Sequence, residues 1–184
     1  MTEQVNYEKV VTLGKGEIAA LIDTLSSADG IQRSAAREQL EKIGQPAVPF
    51  LVETLQSPSD HARWEAAKAL GQIADPAAAP ALVHALQDGK SGVRWLAATA
   101  LINLGHAALA PLLRGLEGHA DSIWFRDSAH HVLHSLVRDG VADEALPVLD
   151  ALENIEPAVE APIAAYQVLQ QMKRQEEASS SLAQ

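Results

Sequence analysis

The sequence predicts an all-α chain, an α–α superhelix of about five antiparallel helix pairs stacked into a solenoid. Three observations carry this. A segment recurs four times, anchored on Arg33, Arg63, Arg94 and Arg126, at spacings of 30, 31 and 32 residues. Each copy places apolar residues at i, i+4 and i+7, a single helical stripe. No stretch sustains the two-residue alternation of Val, Ile, Thr and aromatics that a strand requires.

The copies read RSAAREQLEKIG from Arg33, RWEAAKALGQIA from Arg63, RWLAATALINLG from Arg94 and RDSAHHVLHSLV from Arg126. Ala36, Ala66, Ala97 and Ala129 share one slot. Leu40, Leu70, Leu101 and Leu133 share the next, and Ile43, Ile73, Leu104 and Leu136 a third. Each copy is the second helix of a pair. The first helices are shorter stripes that follow Pro46, Pro76 and His106. A proline at a helix start costs little, because its missing N–H would be unpaired there anyway. Asp75 is a natural N-cap for its copy. Turn-rich loops at 57–60, 88–92 and 117–119 are short enough to make neighbouring helices antiparallel.

The pairs run roughly over 17–43, 46–74, 77–104, 107–138 and 142–174. The repeat domain is thus expected over 15–174, its last pair a degenerate cap with a more polar outer face. Residues 1–14 form a separate N-terminal segment, a short helix or loose chain. Residues 175–184 read as a disordered tail.

Composition narrows the function classes. In 184 residues, 47% are hydrophobic and 21% charged, a foldable balance. Cysteine is absent, which removes disulfides, thiol nucleophiles and cysteinyl metal sites. The net charge of −10 opposes nucleic-acid binding, which relies on clustered Lys and Arg. No apolar run approaches the length of a membrane span. The start, MTEQVNYEKV, lacks the order of a secretory signal. A cytoplasmic protein without a cofactor is expected.

Ala62–Pro76, ARWEAAKALGQIADP, and Val93–Gly105, VRWLAATALINLG, resemble the HEAT-repeat superfamily, specifically the HEAT-like repeats of the phycobilisome-lyase type. The resemblance covers roughly residues 17–140 and implies the solenoid fold. Lyase members of that group attach bilins to cysteines of other proteins, and their bilin-binding residues have no clear match in this sequence. Another branch, deoxyhypusine hydroxylase, binds iron through His-Glu pairs. This chain has no His-Glu dipeptide. HEAT-like DNA glycosylases use concave Trp residues and an Asp, but need a basic channel that 24 acids against 14 bases do not favour.

In such solenoids the second helices line the concave face. The slots after each Arg then present Ser34 and Ala35, next Trp64, Glu65 and Lys68, then Trp95, Leu96 and Thr99, and finally Asp127, Ser128 and His131, with Trp124 at the start of the fourth copy. Packed helices lie about 8–10 Å apart, so Trp64 and Trp95 are placed side by side as one platform. Phe125 is a candidate to extend it, and Trp124 is expected to be the more shielded indole. Exposed Trp is enriched at interface hot spots. The alternative is that each indole folds over the neighbouring repeat and fills its groove.

The repeated Arg reads as a tie to a turn carbonyl or to a neighbouring carboxylate, with Asp60, Asp75 and Asp121 as candidates. Asp127, His131 and His134 share one helical face and are the candidate ligands of a metal ion, although no fourth ligand is evident. No nucleophile elbow, phosphate loop or HExxH motif is present. The expected function is a non-enzymatic scaffold or adaptor that binds a protein partner on its concave face. The alternative is a lyase-like or metal-assisted enzyme using the Asp/His cluster.

Overall fold

The computed structural model describes residues 14–182. The expectation for the N-terminal segment therefore falls almost wholly outside the described residues. Among these, all regular structure is helical: α1 (14–24), α2 (Gly30–Ile43), α3 (Val48–Thr54), α4 (Asp60–Ile73), α5 (Ala79–Ala85), α6 (Ser91–Leu104), α7 (Leu109–His119), α8 (Ile123–Arg138), α9 (Leu146–Leu152) and α10 (Pro157–Leu182). The all-α solenoid is thus observed.

Local chemistry sets the helix ends. Asp29, Ser59 and Ser122 cap α2, α4 and α8 by accepting from a backbone N–H of the first turn. Pro46, Pro49, Pro76 and Pro80 fall in the 3₁₀ turns and first positions of the short helices, and Asp75 caps its turn as expected. Gly44 (φ 72°) and Gly105 (φ 59°) end α2 and α6 in conformations that glycine adopts without strain. Ala74 ends α4 at φ 53° without that freedom.

The recurring Arg is a staple. Arg33, Arg63 and Arg94 each donate from Nη1 to the carbonyl six residues earlier, on Ser27 (2.7 Å), Ser57 (2.8 Å) and Asp88 (2.7 Å). Arg126 does the same to Ala120. The turn before each second helix is thereby tied to that helix. Across repeats Arg63 holds Asp88 at 2.6 and 3.1 Å and Arg33 meets Glu65 at 3.5 Å; among the described residues none of Asp60, Asp75 and Asp121 plays that part.

The shared Ala and Leu slots build the core. Ala66, Ala97, Ala129, Leu40, Leu70, Leu101 and Leu133 are completely buried or nearly so. The second helices stack in a row, α2 on α4 on α6 on α8. The last pair breaks the pattern. α9 packs beside α8, and α10 lies across α9 and α7. Its outer face is not a plain polar cap, because Val159, Ile163 and Tyr166 are exposed on it. α10 also continues to Leu182, so the segment expected to be disordered from 175 is helical to that point. Between Lys173 and Ser181 it carries mostly polar, exposed side chains, and the helix propagates from the packed turns before them.

The most apolar stretch, Ser91–His119, has the length and hydropathy of a membrane span, yet here it is two helices, broken at Gly105 and half-buried in the array.

Candidate functional site

Between α6 and α8 lies an open groove of about 380 Å³. Arg94 and Trp95 line it from α6, and Trp124, Asp127, Ser128 and His131 from α8. Trp95 is 61% exposed and Trp124 50%. Such exposure of two indoles in one hollow is costly to leave in water and is a feature of interaction sites. The Trp95 ring stacks on His131, with centroids 5.1 Å apart and planes at 25°. The Arg94 guanidinium lies 4.6 Å from the Trp124 ring centroid. Thr99, one turn after Trp95, donates its hydroxyl to the Trp95 carbonyl at 2.9 Å and is too short to cover the indole. Asp127 is exposed and makes no ion pair or side-chain hydrogen bond among the described residues.

The neighbouring groove, between α4 and α6, uses the same slots differently. It is smaller, about 270 Å³. Trp64 is only 36% exposed. Its ring lies against Gly92 of α6, where an added Cβ would sit 3.4 Å from the indole. Lys68, one turn on, places its ammonium 5.1 Å from the ring centroid. Beneath it Glu65 is buried and pairs with Arg37 at 3.1 Å and Arg33 at 3.5 Å, and Arg37 also pairs with Glu41. At the rim Lys90 meets Asp60 at 3.1 Å. Burial pushes the Asp88 carboxyl up, but the hydrogen bonds from Arg63 and from the Lys90 backbone outweigh it and hold Asp88 below the usual carboxylate range.

The predicted residues thus divide. Trp95, Trp124, Asp127 and His131 are brought together. Trp64 and Lys68 belong to the adjacent groove, and the ring that Trp95 stacks on is His131 rather than Trp64. The most shielded indole is Trp64, not Trp124, because Gly92 lets it settle on the backbone. Glu65 is no surface contact, since its carboxylate is consumed by two arginines. Leu96 packs partly buried against the core, and Thr99 serves its own backbone. Phe125 points inward, completely buried, against the hollow at Gly115, where an added Cβ would sit 2.6 Å from its ring. The metal set does not assemble. His131 turns to Trp95, and His134 stacks with His130, which also meets Glu153 at 2.9 Å. Among the described residues no group of three or more such ligands converges.

Ser128, a concave slot in the sequence, lines the groove as expected, whereas sequence reasoning overlooked Arg94 as a groove residue. The signal for Arg94 was available: the position equivalent to Asp88 in the next turn is Ala120, which offers its Arg no carboxylate.

The family model described as HEAT repeats matches residues 18–101, and that of the PBS lyase HEAT-like repeat matches 93–118. No curated protein matches the chain. Among solved structures it is similar to a chain from the complex of CpcE and CpcF of phycocyanin lyase from Nostoc sp. PCC7120, at 25% identity and a TM-score of 0.57, covering 84% of this chain and 98% of that one. It also matches a designed armadillo repeat protein in complex with the peptide (KR)4, at 21% identity and TM-score 0.38, covering 83% of this chain and 86% of that one. A second designed armadillo repeat protein matches at 18% and 0.37, covering 82% and 98%.

Proposed function

We propose that this chain, built of HEAT repeats, is an interaction scaffold that docks a segment of a protein partner in the groove between α6 and α8. One observation carries the reading: two indoles, each half-exposed or more, share a single groove on the row of second helices. Trp is the residue type most enriched at binding hot spots, and its burial by a partner is worth about 2 kcal/mol or more. Similarity to a chain taken from a two-protein complex supports a protein partner.

The test is affinity capture from the source cell extract with wild-type protein, a Trp95→Ala/Trp124→Ala variant and a Trp64→Ala control. Loss of a specific partner in the double variant alone, with helical circular dichroism unchanged, is the expected result. Equal capture by all three removes the groove from the function.

A second reading, a subunit of a lyase-type assembly, is favoured by the PBS lyase repeat match and the phycocyanin-lyase neighbour. A bilin added to the purified chain should then change its absorption spectrum on binding, and an unchanged spectrum removes this reading.

A further inference from the structure

Resting on the docking reading above, we propose that the groove between α6 and α8 recognises an arginine side chain of the partner, stacked on the indoles and paired with Asp127. The cations around the groove, Arg94 and Lys90, are both engaged within the chain, Arg94 without a carboxylate partner among the described residues. Arg94 donates to the Asp88 carbonyl at 2.7 Å and lies over the Trp124 ring. Lys90 pairs with Asp60 at 3.1 Å. Asp127 has no counterpart among the described residues and stands exposed beside Trp95 and Trp124.

A ligand that covers the indoles also covers this carboxylate. A purely apolar segment would strip Asp127 of water without return, and an acidic one would add repulsion on a chain of net charge −10. A planar cation satisfies both features at once. Guanidinium stacks on aromatic faces and presents a donor fork that matches a carboxylate, whereas an ammonium does only part of this. The groove already contains one such stack, with Arg94 4.6 Å from the Trp124 ring. Trp95 is covered by His131 through stacking and remains the more exposed of the two. The Ser128 hydroxyl, on the same wall, is placed to accept a further guanidinium N–H.

The experiment uses three short peptides, acetyl-Gly-Arg-Gly-Arg-Gly-amide and its twins with citrulline or with glutamate at both arginine positions. Each is titrated into the ¹⁵N-labelled full chain while the indole N–H signals are followed. The arginine peptide should shift the Trp95 and Trp124 signals saturably and leave Trp64 nearly unmoved. The citrulline twin, close in shape but uncharged and with a carbonyl oxygen in place of one guanidinium nitrogen, should bind at least ten-fold more weakly. Asp127→Asn should weaken the arginine peptide at least five-fold, and its preserved spectrum elsewhere shows that the fold is intact. Equal affinity for the arginine and citrulline peptides, preference for the glutamate peptide, or no saturable shift overturns the proposal. If the partner captured through Trp95 and Trp124 binds Asp127→Asn undiminished, docking stands and arginine recognition falls. If capture ignores the two indoles, the docking reading itself falls.

Discussion

Between α4 and α6 the indole of Trp64 settles on Gly92, while between α6 and α8 the equivalent indole of Trp95 stacks on His131 and shares its groove with Trp124, which takes the slot of Gly92. The two grooves are built from the same repeat slots, and a few substitutions separate them. Gly71 on α4 lets α6 come so close that an added Cβ would lie 3.1 Å from the Ala100 side chain, whereas its slot on α6 holds Ile102. Asn103 reinforces the close approach by donating to the Gly71 carbonyl at 3.2 Å. Asp88 gives Arg63 a carboxylate to clamp, but Ala120 gives Arg94 none, so that guanidinium lies over Trp124 instead. The first groove is closed by packing and charge, and the second is left open. In a repeat array, a binding site arises where a departure in one copy removes the support that its neighbour expected.

The largest test of this contrast is the charge buried under the closed groove. Glu65→Ala leaves Arg37 buried with Glu41 and, at 3.7 Å, the exposed Glu38 as its remaining acidic partners. It should cost about 3 kcal/mol, the low end for breaking a buried pair. Leu96→Ala, the same slot in the next copy, should cost about 1 kcal/mol, since that side chain is only partly buried. Chemical denaturation measures both. Equal costs would mean that Glu65 is not the structural element described.

Close packing comes next. Gly71→Leu should overpack α4 against α6 and cost about 1–2 kcal/mol net, after a helix-propensity gain of about 1 kcal/mol. Ile102→Leu, at the same slot on the open side, should cost under about 1.5 kcal/mol. A stabilised Gly71→Leu would show that α4 and α6 are further apart than described.

The Asp88 clamp adds a pH dependence. Its folded pKa is lowered, so its contribution is fully present above the unfolded value of about 4 and is lost as pH falls through the lower folded value. The melting temperature should drop below about pH 4, with a shallower slope in Asp88→Asn. Parallel slopes for the two proteins would remove Asp88 from the clamp.

The smallest effect on stability, within about 1 kcal/mol, belongs to Gly92→Trp, which installs the open groove's residue in the closed one. Trp64 should then become more accessible to acrylamide, measured with Trp95 and Trp124 replaced by Phe. In the wild-type order, single-Trp variants should be quenched most at Trp95, less at Trp124 and least at Trp64, following their exposures of 61%, 50% and 36%. Unchanged quenching of Trp64 after Gly92→Trp would sever the link between this slot and groove shape.

What the sequence by itself determined is everything that repeats. The Arg–Ala–Leu–Ile slots, the prolines at first-helix starts and the turn lengths fix the helices, their pairing and the buried face, because each depends on contacts within a copy or with an equivalent neighbour. The Arg staples were legible for the same reason, and so were Trp95, Asp127 and His131 as exposed positions, whereas Trp124 read as shielded. Tertiary structure alone decided how the indoles are used. Whether a Trp lies down or stands open depends on the residue opposite it in the next repeat, Gly92 or Trp124, and on how closely the two helices approach. The pairing of Glu65 with arginines on α2, and the exchange of places by α9 and α10, likewise arise between repeats that differ. A pattern read within one helix carries no record of those contacts, since packing energy is set by the pair of surfaces that meet.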